Sequence, residues 1–318
     1  MLTGVREWVV SPMNVDQNAH IDEAAVDAIT SLANHQRLQI LLALNEAERE
    51  HGQQWYPLSF TDLHDAVDIE SSSQFSYHLE QLVSQFVSET PAGYRLTYSG
   101  NKIVRAIVSG VYESTPTFED SEVDGVCAFC GAGSLLATLE SEQFVIQCSS
   151  CESTLVNDFL PRSQTRNRTS SEIAESVGYR IWSTFLQVRG GVCPECFGCV
   201  ETTVDSHSHP DGDAIHPIHV HSCRACWLVV SLPVEVTVAF HPVAQCLFWE
   251  HDISLLDVPL WEFFGFMTSG VITTDVVSEE PFAATFELTL GDETVGFSMD
   301  ETAIVTVHVE RDEWDTFW

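Results

Sequence analysis

Apolar positions three and four apart organise the first third of the chain. Ala25, Val26, Ile29 and Leu32 recur at helical spacing after Asp22, which suits an N-cap, and a second helix runs from about His35 through Ile40, Leu41 and Leu44. A polar connector, 47–57, leads to a third helix that opens at Ser59 and carries Leu63, Ala66 and Val67. Ser71-Ser72-Ser73-Gln74 has the Ser-x-x-Gln form of a capping box and predicts a fourth helix, with Phe75, Leu79, Leu82, Val83 and Phe86 as its apolar face. A strand around Phe86-Val87, a turn at Pro91-Ala92-Gly93 and a strand over 94–97 predict a hairpin. A fifth helix, 99–112, carries Ile103, Val104, Ile107, Val108 and Val111 in a stripe broader than a single seam.

Beyond this point the pattern changes. Residues 114–124 form a Thr/Pro/acidic linker, a helical pattern covers about 170–188, and 227–232 is strand-like. The tail predicts one helix around 259–267 and three alternating runs, 282–290, 293–299 and 303–309, separated by Gly-Asp and Asp-Glu turns. The expected fold class is therefore α+β and multidomain. Its expected parts are 20–113, a linker 114–124, a first cysteine ribbon 125–155, a helical connector 156–190, a second cysteine ribbon 191–232, and a small αβ tail 233–318.

Charge alters the picture more than length does. The chain of 318 residues carries 47 Asp+Glu against 13 Lys+Arg, a formal −34, and its one lysine is Lys102. Eight Trp and eighteen Phe argue against an acidic disordered chain and for a folded one with a solvated acidic surface. That composition resembles proteins of extreme halophiles and implies a halophilic archaeal origin, since molar salt screens self-repulsion within about 3 Å. Residues 1–20 lack a signal-peptide layout and no run approaches the ~20 apolar residues of a membrane span, so the expected location is the cytoplasm.

In a reducing compartment ten cysteines point to metal rather than disulfides. Cys127, Cys130, Cys148 and Cys151 form two Cys-x-x-Cys pairs, with a predicted hairpin turning at 140–142 between them. Cys193, Cys196, Cys223 and Cys226 form a second set. Paired knuckles converge tetrahedrally on one zinc each, and a four-thiolate site is closed, so two structural zinc ions per chain are expected. Cys199 could also pair with Cys196, but Pro194 and Gly198 favour the Cys193–Cys196 knuckle; Cys246 reads as a buried thiol. His207, His209, His216, His219 and His221 lie between the second knuckles and read as a solvated loop. The alternative is a regulatory metal site built from His219 and His221 with His207 or His209. No carboxylate pair, phosphate loop or nucleophile motif argues for an enzyme.

On the fourth helix Ser72, Ser73, Gln74, Ser76 and Tyr77 fall near the N-terminal half, away from the apolar stripe, and are side chains suited to base edges and phosphates. Between residues 71 and 110 the acids are Glu80 and Glu89 and the bases Arg95, Lys102 and Arg105, a net +1 in an otherwise acidic chain. The order of four helices, hairpin and helix is that of a winged helix-turn-helix. The run Ser73 to Leu82, with its His78-Leu79-x-x-Leu82 core, resembles the recognition helix of ArsR-type regulators. Tyr94-x-Leu96-Thr97-x-x-Gly100 resembles the wing-to-helix ending of the same family, and the resemblance covers about 21–112. It implies a homodimer that binds double-stranded DNA and regulates transcription, with Arg95, Lys102 and Arg105 near phosphates and His78 in a packing role. The helix before the recognition helix holds no cysteine, so the usual metal-sensing site of that family is absent. Rival readings are a general transcription factor resembling the transcription factor E alpha subunit and a protein-interaction adaptor; contacts with other transcription proteins fit either, and none of the readings places the chain in a membrane.

Overall fold

A computed structural model of the chain describes residues 22–112, 116–140, 142–208 and 215–308. The described residues divide into two compact units, one of 22–112 with Pro161–Ser163 and one of the remaining residues from 116 to 308.

The smaller unit begins with α1 (Glu23–Leu32), where the Asp22 carboxylate accepts the Ala24 N–H at 3.0 Å. Asn34 caps α2 (His35–His51), and Gly52 ends it in the left-handed region at φ 60°. This helix extends five residues into the expected polar connector because Ala47 and Glu48 face inward, and Glu48 accepts the Trp55 N–H at 2.8 Å. Ser59 caps α3 (Phe60–Asp65) and Ser71 caps α4 (Ser72–Glu80). The hairpin β1 (Val87–Thr90) and β2 (Gly93–Leu96) pairs Thr90 with Gly93 around Pro91-Ala92, and Thr97 caps α5 (Tyr98–Ser109). Ile40, Leu41, Leu44, Leu63, Phe75, Leu79, Leu82, Val87, Leu96 and Val104 form a closed core of this unit.

In the larger unit β3 (Ser121–Val123), β4 (Leu135–Glu140), β5 (Gln143–Cys148) and β6 (Thr154–Phe159) make an antiparallel sheet in sequential order. Its first strand occupies the end of the expected linker and its last the start of the expected helical connector. After the one-turn α6 (Arg162–Thr165), α7 (Ser170–Arg189) starts on a capping box between Thr169 and Glu172. A second antiparallel sheet follows, β7 (Val200–Ser208), β8 (Ile215–Cys223) and β9 (Val229–Pro233). Then come α8 (Val234–Ala239), α9 (Pro242–Glu250), a 3-10 turn Leu255–Asp257 and α10 (Leu260–Thr268). The third sheet is β10 (Ile272–Glu279), β11 (Phe282–Leu290), β12 (Glu293–Asp300) and β13 (Val305–His308), again in order and antiparallel.

These parts share one core instead of standing as four separate pieces. Phe144 and Ile146 of the first sheet, Trp182 and Phe185 of α7, Val236 and Val238 of α8, Phe263 of α10 and Phe286 and Phe297 of the third sheet belong to a single buried cluster. The described residues make an α+β protein with four small antiparallel sheets, counting the hairpin. Among the described residues no helix is long and apolar enough to cross a membrane.

Candidate functional site

The eight knuckle cysteines gather into two groups. In the first, the sulfurs of Cys127, Cys130, Cys148 and Cys151 all lie within 4.8 Å of one another, with Cys127–Cys151 and Cys130–Cys148 each at 3.6 Å. In the second, Cys193, Cys196, Cys223 and Cys226 do the same, with Cys193–Cys226 at 3.6 Å and Cys196–Cys223 at 3.5 Å. Four sulfurs bound to one ion at ~2.3 Å in a tetrahedron lie ~3.8 Å apart, and disulfides need ~2.05 Å, so both groups fit a metal and no pair fits a disulfide.

The same backbone turn builds all four knuckles. The N–H of the residue after the second cysteine returns to the carbonyl of the first: Gly131 to Cys127 and Glu152 to Cys148 at 2.9 Å, Phe197 to Cys193 at 3.0 Å, Trp227 to Cys223 at 3.2 Å. That residue takes a positive φ in every case, 70°, 60°, 60° and 63° in chain order. Inside the turns, the N–H groups of Phe129, Ser150 and Ala225 each point at a cysteine sulfur at 3.4 Å. Such donors favour the thiolate, although at Cys127 burial outweighs the Phe129 N–H and keeps the thiol raised. Burial alone would raise Cys148, but the N–H groups of Cys151 and Ser150, together with the Cys130 and Cys151 thiols, bring it down to about 7. The Cys226 and Ala225 N–H groups bring Cys223 down to about 6. The donor set is soft and closed, and suits an ion that prefers four thiolates.

The clusters differ in their anchorage. Cys127 and Cys148 are wholly buried and belong to the main core, whereas Cys193 and Cys223, though buried, lie outside it. Cys199 is exposed and stands outside the second cluster; its backbone bridges to Val192. Cys246, expected to be buried, is exposed, because α9 turns Ala244, Leu247 and Phe248 inward and leaves the cysteine on the opposite side.

The histidines depart furthest from expectation. His219 and His221 are not in a solvated loop. They project from one face of β8 into the interior, 1% and 3% exposed, with ring centroids 5.9 Å apart. His219 Nδ1 pairs with the Thr237 hydroxyl and His221 Nδ1 with that of Thr202, both at 2.8 Å, and neither Nε2 has a partner among the described residues. No third ligand joins them among the described residues. His209 and the side chain of His207 lie outside the described residues. Burial, with His221 adding to it, holds His219 down at about 4.

On α4, Ser72, Ser73, Gln74 and Tyr77 are exposed and Ser76 is half-buried. Ser76 donates to Glu80 at 3.1 Å, so a carboxylate sits on the same surface. The expected capping box is half made: Ser71 Oγ accepts the Gln74 N–H at a long 3.5 Å, but the Gln74 amide turns to Gln36 of α2, its Nε2 donating to Gln36 Oε1 at 3.2 Å. His78 is buried against the unit's core and lowered by burial and by the Arg37 charge, a packing environment. Arg95, Lys102 and Arg105 are all exposed, with Lys102 5.7 Å from the centre of the Tyr98 ring. Sequence reasoning missed Gln36, and no local signal marks it.

Residues 124–305 match the family described as Domain of unknown function (DUF7351), and residues 25–107 match the one described as Domain of unknown function (DUF7347). No curated protein and no solved structure matches the chain.

Proposed function

We propose that this chain, which belongs to the DUF7351 family, is a sequence-specific DNA-binding regulator of transcription, built as a winged helix-turn-helix joined to a zinc-stabilised unit. The observation that carries the reading is α4. It presents Ser72, Ser73, Gln74 and Tyr77 to solvent from a helix whose opposite face, Phe75 and Leu79, is locked into the core. It is followed by a tight hairpin with Arg95 exposed and by a helix with Lys102 and Arg105 exposed, all in the stretch where the acidic coat thins to a net +1. Hydroxyls and an amide at the start of such a helix suit base edges in a major groove. The metal in both clusters is zinc in this reading, with a structural part. The working form is a homodimer in a high-salt cytoplasm, paired through α1, α5 and the turn after α5, where Val26, Ile29, Val108 and Val111 are 45–70% exposed.

Counterion release contributes little in molar salt, so base contacts must supply an unusual share of the affinity. Genomic occupancy tests the reading. Discrete operators are expected; occupancy of every active promoter would favour a general factor, and none an adaptor. At a mapped operator in molar KCl, Gln74→Ala or Tyr77→Ala should cost about 1–3 kcal/mol. Unchanged binding by both variants would remove α4 from the interface.

A further inference from the structure

We propose that Gln36, on α2, is a positioning residue that fixes the Gln74 amide so that it reads adenine; the inference rests on α4 being the recognition helix. The first turn of α2 is held by Asn34, whose Oδ1 accepts the N–H groups of Gln36 at 2.9 Å and Arg37 at 3.2 Å. From this turn Gln36 Oε1 takes one N–H of Gln74 at 3.2 Å, across 38 positions of sequence. One helical turn further along α4, on the same stripe, stands His78, which feels the Arg37 charge. Two neighbouring residues of α2 thus act on two residues of one α4 stripe. The local alternative was open to Gln74, since Ser71-x-x-Gln74 is a capping-box sequence, yet the side chain takes the tertiary partner instead.

The consequence lies in what remains of the amide. A glutamine offers two N–H donors and one carbonyl acceptor. With one N–H given to Gln36, a single donor and the Oε1 acceptor are left on the exposed side. Adenine is the base whose major-groove edge sets a donor, N6–H, beside an acceptor, N7. Guanine sets two acceptors there, O6 and N7, and a tethered Gln74 would bring its own oxygen against one of them. Freed from Gln36, the amide can rotate and present both N–H groups, and guanine becomes acceptable.

The full chain, loaded with metal, should be used to select duplexes from a randomised library in 2–3 M KCl (about the salt the composition implies). Wild-type protein is expected to select a motif with an adenine fixed in each half-site, preferred over guanine on the order of tenfold or more. In Gln36→Leu that preference should fall about tenfold at that one position, with the rest of the motif intact. Gln36→Glu, whose carboxylate accepts the same N–H, should retain it, and Gln74→Ala should lose it. Circular dichroism melts of each variant check the fold. The inference is overturned if Gln36→Leu keeps the wild-type adenine preference, or if Gln74→Ala and Gln36→Leu alter different positions. A wild-type protein that selects no motif would overturn it together with the recognition-helix reading, and that result is distinct from the other two.

Discussion

Cys148→Ser and Cys223→Ser each remove one thiolate from a four-thiolate site, yet the structure makes their consequences unequal. Metal bound at such a site contributes on the order of 10 kcal/mol to folding, comparable with the whole stability of a domain. At the first cluster that energy is spent inside the main core. Cys127 and Cys148 pack in the same cluster as Leu135, Phe144 and Ile146, and this cluster continues to Trp182 and Phe286. Loss of the ion there leaves the Cys127 thiol and the new hydroxyl inside the core, with Cys151 half-buried and Cys130 exposed at its edge, and the unit should unfold at once. At the second cluster the ligands lie outside that core, so loss of the ion should melt the knuckles around 191–200 and 223–228 and shift the melting point of the rest by only a few degrees. Hydrogen exchange read by mass spectrometry resolves the two outcomes. Cys148→Ser should lose protection across 121–308 while 35–108 keeps it, because the smaller unit has its own core. Cys223→Ser should lose protection only at the knuckles, and metal analysis should show one thiolate-bound equivalent fewer in each. Equal loss of protection in the two variants would refute the argument from anchorage.

Gly100→Ala reverses the usual helix preference: its Cβ would stand 2.1 Å from the Phe86 carbonyl oxygen, which is backbone and cannot yield. A loss on the order of 3 kcal/mol is expected in urea melts, against the gain that propensity alone predicts, and an equally stable variant would contradict the packing. For His219 the folded value of about 4 lies below the unfolded value of about 6.5. Protonation therefore favours the unfolded chain. The share of stability due to His219 should fall by about 3 kcal/mol as pH drops from 6.5 to 4, beside a like share from His221, and should be constant outside that window. His219→Asn should flatten this part of the pH profile, and identical profiles for variant and wild type would count against it. Light scattering in molar KCl should give about twice 35.4 kDa, and Ile29→Asp with Val111→Asp should return the mass to that of one chain; a wild-type monomer at micromolar concentration would reject the pairing of α1 and α5.

Features set by neighbours in sequence were legible from the residues alone. Asp22, Ser59 and Ser71 cap the helices they were expected to cap, since a short acceptor before an apolar period needs only the next turn to act. The cysteine spacing likewise brought all eight ligands into their two groups. What escaped was set by burial on every side or by distant partners. All six residues of α8 are buried, so Val234-Glu235-Val236-Thr237-Val238-Ala239 shows no polar face and its β-branched alternation suggests a strand. The signal for α9 was there, a His241 cap with Pro242 in the first turn. β10 carries a bulge between Val276 and Ser278 that breaks its alternation. The β7–β8 hairpin was obscured because His219 and His221 count as polar in a pattern, while as neutral rings bonded to threonines they fill an interior face. The Gln36–Gln74 bond joins residues that no window of sequence contains together.

The positive φ shared by the four knuckles gives the second cluster a property the first lacks. There the position after the last ligand is Trp227, at φ 63° and 49% exposed, bonded through its own N–H to Cys223 of the same site. The corresponding residues of the first cluster are Gly131 and Glu152, which carry no chromophore. An indole one residue from a metal ligand makes occupancy optical. An open-shell ion such as cobalt(II) entering the second site should quench Trp227 strongly, while the same ion in the first site has no indole in its knuckles to report on it. Because Trp182 and Trp261 share the core of the first cluster, the second site is read as the emission change lost in Trp227→Phe, and thiolate absorption reports the sum of the two.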